Sequence, residues 1–290
     1  MKKFSKILII IFCSLLFLTG CEFIEEDDDK QITYTSVYPV EYILDQLYGE
    51  NLTIKSIYPD GQDYSNYNLT SKILNDYSST AEFFIYNGII SKEKDYAVNM
   101  INKNKSVKII DASLGMPYTN GIEETWLAPG NYLMMASNIK NGLKEYITET
   151  LEIQKIEESF DSLKLDLSEI DAELKRVGSS HKTIIVGNDL FKYLESYGFN
   201  VISIEENENL TEKTIVEVKN LLANSNVKSI FLSNNSEETE FLKSLENDYG
   251  VQIVRLNTLS TITSDERVDK KDYKSIMLDN INSIKLGISM

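Results

Sequence analysis

IEESFDSLKLDLSEIDAELKRVG, residues 156–178, places apolar side chains at Ile156, Phe160, Leu163, Leu167, Ile170, Leu174 and Val177. The gaps alternate between four and three, which puts these residues on one face of an α-helix and leaves the charged residues on the other. From Ile156 to Val177 such a helix is about 33 Å long at ~1.5 Å per residue. A seam of this kind also suits a coiled-coil dimer, but only about three heptads fit before Gly178 ends the pattern. The segment is therefore expected to lie along the chain's own domains as a stiff spine.

On both sides of the spine, short β-branched and aromatic runs alternate with helical ones. Before it, strands are expected at Ile32–Tyr38, Leu52–Tyr58, Ala81–Tyr86 and Val107–Ala112, with helices at Val40–Tyr48, Leu69–Tyr77 and Asp95–Asn102. A loop holding Pro117, Gly121, Pro129 and Gly130 follows, then a helix that carries Tyr132, Met135, Ile139 and Leu143 on one side. After it, strands are expected at Thr183–Val186, Val201–Ile204, Val227–Leu232 and Val251–Leu256. Helices are expected at Leu190–Tyr197, Lys213–Leu222, Glu240–Tyr249 and Tyr273–Leu286. This βαβα grammar implies an α/β fold: two (βα)4 lobes with mostly parallel sheets, joined by one long rigid helix. The lobes are placed at 32–150 and 179–290, with the spine at 151–178.

The chain has 290 residues, 45 acidic against 29 basic, and a formal charge of −16. That balance excludes duplex nucleic acid as a partner, because phosphate binding needs a concentrated positive surface. One His and two Cys exclude a zinc finger, a multi-His metal centre or a disulfide scaffold. Walker GxxxxGK[ST], GxSxG and HExxH motifs are all absent from the sequence, so an enzyme is not expected.

The N-terminus reads as an address. Lys2, Lys3 and Lys6 precede an apolar run from Ile7 to Leu18, which is shorter than the ~20 residues a spanning helix needs. Leu18-Thr19-Gly20-Cys21 then resembles a bacterial lipobox, which implies a signal peptide over 1–20 and lipidation of Cys21. Cys13 would leave with the leader, so the mature chain would hold neither a free thiol nor a disulfide. The acidic stretch 21–31 would be an extended tether, whose nine residues from Glu22 to Lys30 reach at most ~30 Å.

In open parallel sheets, ligands bind beyond the carboxyl ends of the strands. Four loops leave such ends: PDGQDYSNYN (59–68), the segment with Glu123, Glu124 and Trp126, the turn Gly187-Asn188-Asp189, and the segment Thr263-Ser264-Asp265-Glu266. Two lobes facing across a stiff spine would bring these loops to one cleft.

Taken in order, the segments TSVYP (35–39), IYPDG (57–61), FIYNG (84–88), IIDAS (109–113), TWLAPGN (125–131), YLESYGF (193–199) and DYKSIM (272–277) resemble the TroA-like zinc and manganese receptors of ABC transporters. The resemblance runs from Ile32 to the C-terminus. It implies a lipid-anchored, extracytoplasmic solute-binding protein on the bacterial cell surface, a membrane permease as partner, and a monomer. The family holds its metal between the lobes with His and carboxylate ligands. Carried over residue by residue, those positions fall on Ser65, Glu124, Asn188 and either Ser264 or Asp265, one residue of slip deciding between the last two. Tyr64, Tyr67 and Trp126 would stand beside them in the cleft.

No His remains in this set. The one imidazole, His181, precedes the strand that leads to Asn188 and so lies roughly 20 Å off at ~3.3 Å per residue. Zinc favours thiolate and imidazole, whereas oxygen donors suit Mn²⁺, Mg²⁺ or Ca²⁺. Three expectations stay open: a divalent ion on oxygen donors, a small organic cation held by acids and aromatics, and a surface adhesin or transporter accessory that kept the fold without the metal. A direct role is expected first for Glu124, while each aromatic is expected as core or cleft wall before any direct ligand role.

Overall fold

A computed structural model describes residues 31–118, 121–206, 210–224 and 226–289; the leader, Cys21 and the tether up to Lys30 lie outside the described residues. Gln31–Met290 forms one compact unit. Its first half runs β1 (Gln31–Thr35), α1 (Tyr38–Tyr48), β2 (Leu52–Ser56), α2 (Ser71–Thr80), β3 (Phe83–Tyr86), α3 (Ser91–Lys103) and β4 (Lys108–Asp111). A 3₁₀ turn, Thr125–Leu127, leads into α4 (Pro129–Tyr146) and then the spine, α5 (Thr150–Gly178).

The second half repeats the plan. It comprises β5 (Thr183–Val186), a 3₁₀ segment (Asp189–Tyr197), β6 (Asn200–Ser203), α6 (Glu212–Ala223), β7 (Ser229–Ser233), α7 (Glu240–Tyr249) and β8 (Gln252–Leu256). It closes with the short α8 (Ser264–Val268) and α9 (Tyr273–Gly287). Each half builds a four-stranded sheet, ordered β2-β1-β3-β4 and β6-β5-β7-β8, and every strand pair is parallel. The chain is thus a two-lobed α/β protein, as the alternating pattern predicts. Strands covered on both faces are nearly all apolar: Phe83–Tyr86 is buried throughout.

Two local expectations change. The segment 189–197 is a 3₁₀ helix rather than an α-helix. Phe191 and Leu194 are its buried residues, and their i, i+3 spacing serves a three-residue turn as well as an α-turn. Gly198 ends it at φ 99°, a left-handed conformation that favours glycine. The second change is α8, which lies within a segment read as loop. Its capping box is complete, with the Thr263 hydroxyl accepting from Glu266 N and the Glu266 carboxylate accepting from Thr263 N.

The spine carries the expected seam. Ile156, Leu163, Leu167, Ile170, Leu174 and Val177 are buried, and Phe160 is half-buried under the Lys140 ammonium, 4.2 Å from its ring centre. The helix packs on α1 and α4 of the first half and on α9 and the 3₁₀ segment of the second. Polar pairs fix it on both sides. Tyr48 Oη donates to Glu152, Lys140 pairs with Glu157 at 2.9 Å, Lys274 pairs with Asp166 at 2.8 Å, and Tyr197 Oη donates to Asp171 at 3.0 Å. Its last residue has to be small, because a Cβ on Gly178 would stand 2.1 Å from the Tyr197 carbonyl oxygen.

At the crossover point of the first sheet, where β1 and β3 end side by side, a carboxylate is fully buried. Glu93 Oε2 accepts from Asn87 N at 2.9 Å and Oε1 from Tyr58 Oη at 3.1 Å. Burial pushes this carboxyl up to about 8, against bonds from Ser36, Asn87 and Tyr58 that favour the charged form.

Two predictions follow from this packing. Ile170→Ala removes a fully buried side chain of the seam and is expected to cost about 2–5 kcal/mol, read as a lower urea midpoint with an unchanged m-value. For Glu93, the folded chain keeps a proton that the unfolded chain has lost between roughly pH 4.3 and the folded value. Stability therefore falls as pH rises through that window, by at most ~1.4 kcal/mol per pH unit from this group. Glu93→Gln is expected to gain on the wild type steadily from pH 5 to pH 8 in the same urea assay.

Candidate functional site

Loops at the carboxyl ends approach one another where the two halves face: Trp126 touches Tyr64 and the turn beyond β8, and Glu124 and Asp189 line one cavity. The 3₁₀ turn Thr125–Leu127 is buried whole, with Pro129 starting α4 directly after it. Trp126 Nε1 donates to the carbonyl of Thr258, beyond β8, at 2.8 Å. The carbonyl of Trp126 accepts from Tyr273 Oη at 2.6 Å, and that phenol ring stacks on Tyr132 with 3.8 Å between centres. Tyr64 meets the indole edge-on at 6.4 Å and donates its hydroxyl to Glu124 Oε1 at 2.8 Å.

This pairing sets the electrostatics. Burial raises the Glu124 carboxyl above the usual carboxylate range; the Tyr64 hydrogen bond pulls it back, and the nearby charges of Asp63 and Glu123 push it up further. The Tyr64 phenol is raised strongly, by burial first and then by Glu124 and Glu123. A half-buried carboxylate among other acids is a place where a cation would be favoured.

The remaining expected positions have partners of their own. Ser65 is exposed, and its hydroxyl and amide both donate to Asp63 Oδ1, at 2.6 and 2.8 Å. Asn188 Oδ1 accepts from Ser233 N and from Ser236 Oγ, both at 3.3 Å. Ser264 and Asp265 are exposed in the first turn of α8. Tyr67 is half-buried with its ring edge-on to Tyr58, and its carbonyl accepts from Lys92 Nζ at 2.8 Å. The structure therefore joins Tyr64, Glu124 and Trp126 in one cluster, while Ser65 and Asn188 each face other protein groups. His181 sits in the turn before β5 at φ 48°, with Nδ1 3.1 Å from the carbonyl of Gly198, at the far end of the strand from Asn188.

Asp63 is the residue that the sequence reading missed. Besides Ser65 it receives Asn235 Nδ2 at 3.1 Å and the Ser260 hydroxyl, both from the second half. Beside Glu124 lies a cavity of about 300 Å³, lined by Glu124, Thr125 and Asn131 from one lobe and by Asp189, Lys192 and Tyr193 from the other. Lys192 is paired with Asp189 at 2.6 Å. Among the described residues, no group of three or more His, Cys, Asp and Glu side chains is placed to hold a metal ion. The donors that line the junction are carboxylate, hydroxyl and amide oxygens, which do not fit zinc.

Two parallel-sheet lobes around a rigid helix, with a cavity between them, give the architecture of a two-lobed substrate-binding protein. The chain belongs to the ZnuA family, described as zinc-uptake complex component A, periplasmic, whose sequence model matches residues 33–287. Among its relatives is the metal ABC transporter substrate-binding lipoprotein SloC of Streptococcus mutans serotype c, 25% identical over 310 aligned positions that span 100% of both chains. Solved structures with the same fold include the metal-dependent lipoprotein YcdH from Bacillus subtilis, at a TM-score of 0.74 and 18% identity, covering 90% of this chain and 100% of that one. Another is the Zn(II)-bound ZnuA-like domain of Streptococcus pneumoniae AdcA, at a TM-score of 0.72 and 19% identity, with 90% and 100% covered.

Proposed function

We propose that this protein is a lipid-anchored, extracytoplasmic receptor of a metal ABC importer whose ligand positions supply oxygen instead of imidazole. Membership of the ZnuA family makes it a substrate-binding component rather than an enzyme, one that works with a membrane permease. In this proposal the lobes are 32–150 and 179–290, the spine is 151–178, and the receptor is a monomer held to the membrane by lipidated Cys21 through the acidic tether. Among the described residues no helix is long and apolar enough to cross a membrane.

The observation that carries the proposal is Glu124 beside the cavity between the lobes, where burial has raised its carboxyl, so an arriving cation would restore its charge. The sequence resemblance assigns the family's second ligand to the same residue. Ser65, Asn188 and Asp265 or Ser264 would have to leave their present surroundings to complete a coordination sphere. Such a set favours Mn²⁺, Mg²⁺ or Ca²⁺ over zinc. Tyr64 and Trp126 act as the wall that holds Glu124 in place, while Tyr67 packs on Tyr58. One observation favours a second proposal, a surface adhesin or transporter accessory that keeps the fold without metal: Ser65 and Asn188 are both engaged by protein groups.

Calorimetric titration of the detergent-solubilised full chain with Mn²⁺, Mg²⁺, Ca²⁺ and Zn²⁺ separates the two. The receptor proposal expects binding of at least one of the first three ions, tighter than Zn²⁺, and a loss of about tenfold or more in affinity for Glu124→Gln. No heat and no thermal shift with any of the four ions would leave the second proposal standing. For the anchor, Cys21→Ser is expected to move the protein from the membrane fraction to the soluble one.

A further inference from the structure

The turn after β8, Asn257–Thr263, is fastened to the first lobe by protein atoms on several sides. Gly61 N donates to the carbonyl of Ile262 at 2.8 Å and reaches Thr261 Oγ1 at 3.1 Å. Trp126 Nε1 holds the carbonyl of Thr258. Just beyond the turn, Arg267 pairs with Glu41 at 2.7 Å and with Asp60 at 2.9 Å. Between these fastenings lies Asp63. Its Oδ1 accepts from the amide and hydroxyl of Ser65, and its Oδ2 accepts from Asn235 Nδ2 and from the hydroxyl of Ser260.

A carboxylate has about four acceptor positions. Asp63 uses all of them on protein donors, two from its own lobe and two from the other. The fully hydrogen-bonded anion is therefore stable at the junction without a cation. Two of the family's ligand positions are drawn into the same arrangement. Ser65 donates to Asp63, and Asn188 accepts from Ser236, the neighbour of the Asn235 that bonds Asp63.

A receptor that closes around its cargo uses the cargo to join its lobes. We propose that in this chain Asp63 performs that task, so the lobes are clasped in the absence of any metal and metal adds little to the closure. The thermodynamics is direct. A ligand moves a two-state equilibrium only by the difference in its affinity for the two states. The bonds from Asn235 and Ser260 to Asp63 cross between the lobes and already favour the closed state without an ion, so little closure is left for an ion to drive. The proposal rests on neither reading of the cargo: metal affinity and lobe closure are separate measurements.

The test is amide hydrogen exchange on the full chain in detergent, followed in peptides covering residues 57–66 and 257–268. It is run in EDTA and again in 1 mM Mn²⁺ or Zn²⁺. Wild-type rates are expected to agree within about twofold in all three conditions, with both peptides protected. In EDTA, Asp63→Ala is expected to speed exchange at the Gly61 amide and in the 257–268 peptide by tenfold or more, while peptides of the spine stay protected. Ser260→Ala, which removes one cross-lobe donor and leaves the first lobe intact, is expected to shift the same peptides in the same direction by less. It carries the mutational arm if Asp63→Ala fails to fold. Wild-type loops that exchange freely in EDTA and gain protection only with metal would overturn the proposal. So would an Asp63→Ala chain as protected as the wild type in EDTA, or, where that variant does not fold, a Ser260→Ala chain that is.

Discussion

The Trp126 indole is the point on which the relation of the two lobes depends. Its N–H is bound to the turn beyond β8, its carbonyl to the Tyr273 hydroxyl at the start of α9, and its ring edge to Tyr64. A buried indole N–H without an acceptor would be costly, so Thr258 has to stay in place. Tyr273 in turn stacks on Tyr132, whose hydroxyl donates to the carbonyl of Pro39 at 2.8 Å. One residue of a three-residue turn thus joins α1, α4, α9 and the loops from both sheets. The spine sets the distance between the lobes, and this aromatic cluster sets how they face.

Much of this architecture is legible in the sequence because burial writes periodicity into it. The seam Ile156 to Val177 appears as alternating gaps since each member must meet α1, α4 or α9. The strands appear as short apolar runs since parallel sheets are covered on both faces. What is not legible is pairing at long range. Asp63 lies in PDGQDYSNYN among several polar residues, and its partners Asn235 and Ser260 are 172 and 197 positions away. Nothing local separates it from Asp60 or Ser65. Glu93 is hidden in the same way: SKEKD (91–95) looks like the solvated first turn of a helix, yet Glu93 faces the ends of β1 and β3 and is buried. The helix at Ser264 was the one miss with a local signal, the Thr263-x-x-Glu266 capping box.

The two halves share one strand order but not one electrostatic design. At the crossover of the first sheet, the buried Glu93 gathers Asn87 N and Tyr58 Oη where β1 and β3 end. At the equivalent place in the second sheet, where β5 and β7 end, amide and hydroxyl groups take the place of a carboxyl: Asn188, Ser233 and Ser236 bond one another. At the junction the first lobe supplies Asp63, Glu123 and Glu124, while the second supplies hydroxyl and amide groups together with the paired Asp189 and Lys192.

That division decides what each acid can do. Burying a carboxylate costs several kcal/mol unless donors or a cation compensate. Asp63 is compensated by four donors, and an ion approaching it would gain little that the protein has not already provided. Glu124 has the Tyr64 hydroxyl, and its acidic neighbours add to the cost, which is why its carboxyl is raised. The same fold therefore places two carboxylates close together in opposite conditions. One is spent on holding the lobes, and the other is left with charge to satisfy beside a cavity. In the proposed receptor, a cation entering between the lobes would meet Glu124 as its strongest partner, while Ser65 and Asn188 would offer it only weak oxygens already engaged by the protein. Selectivity in such a site would come from charge and ionic radius rather than from donor softness.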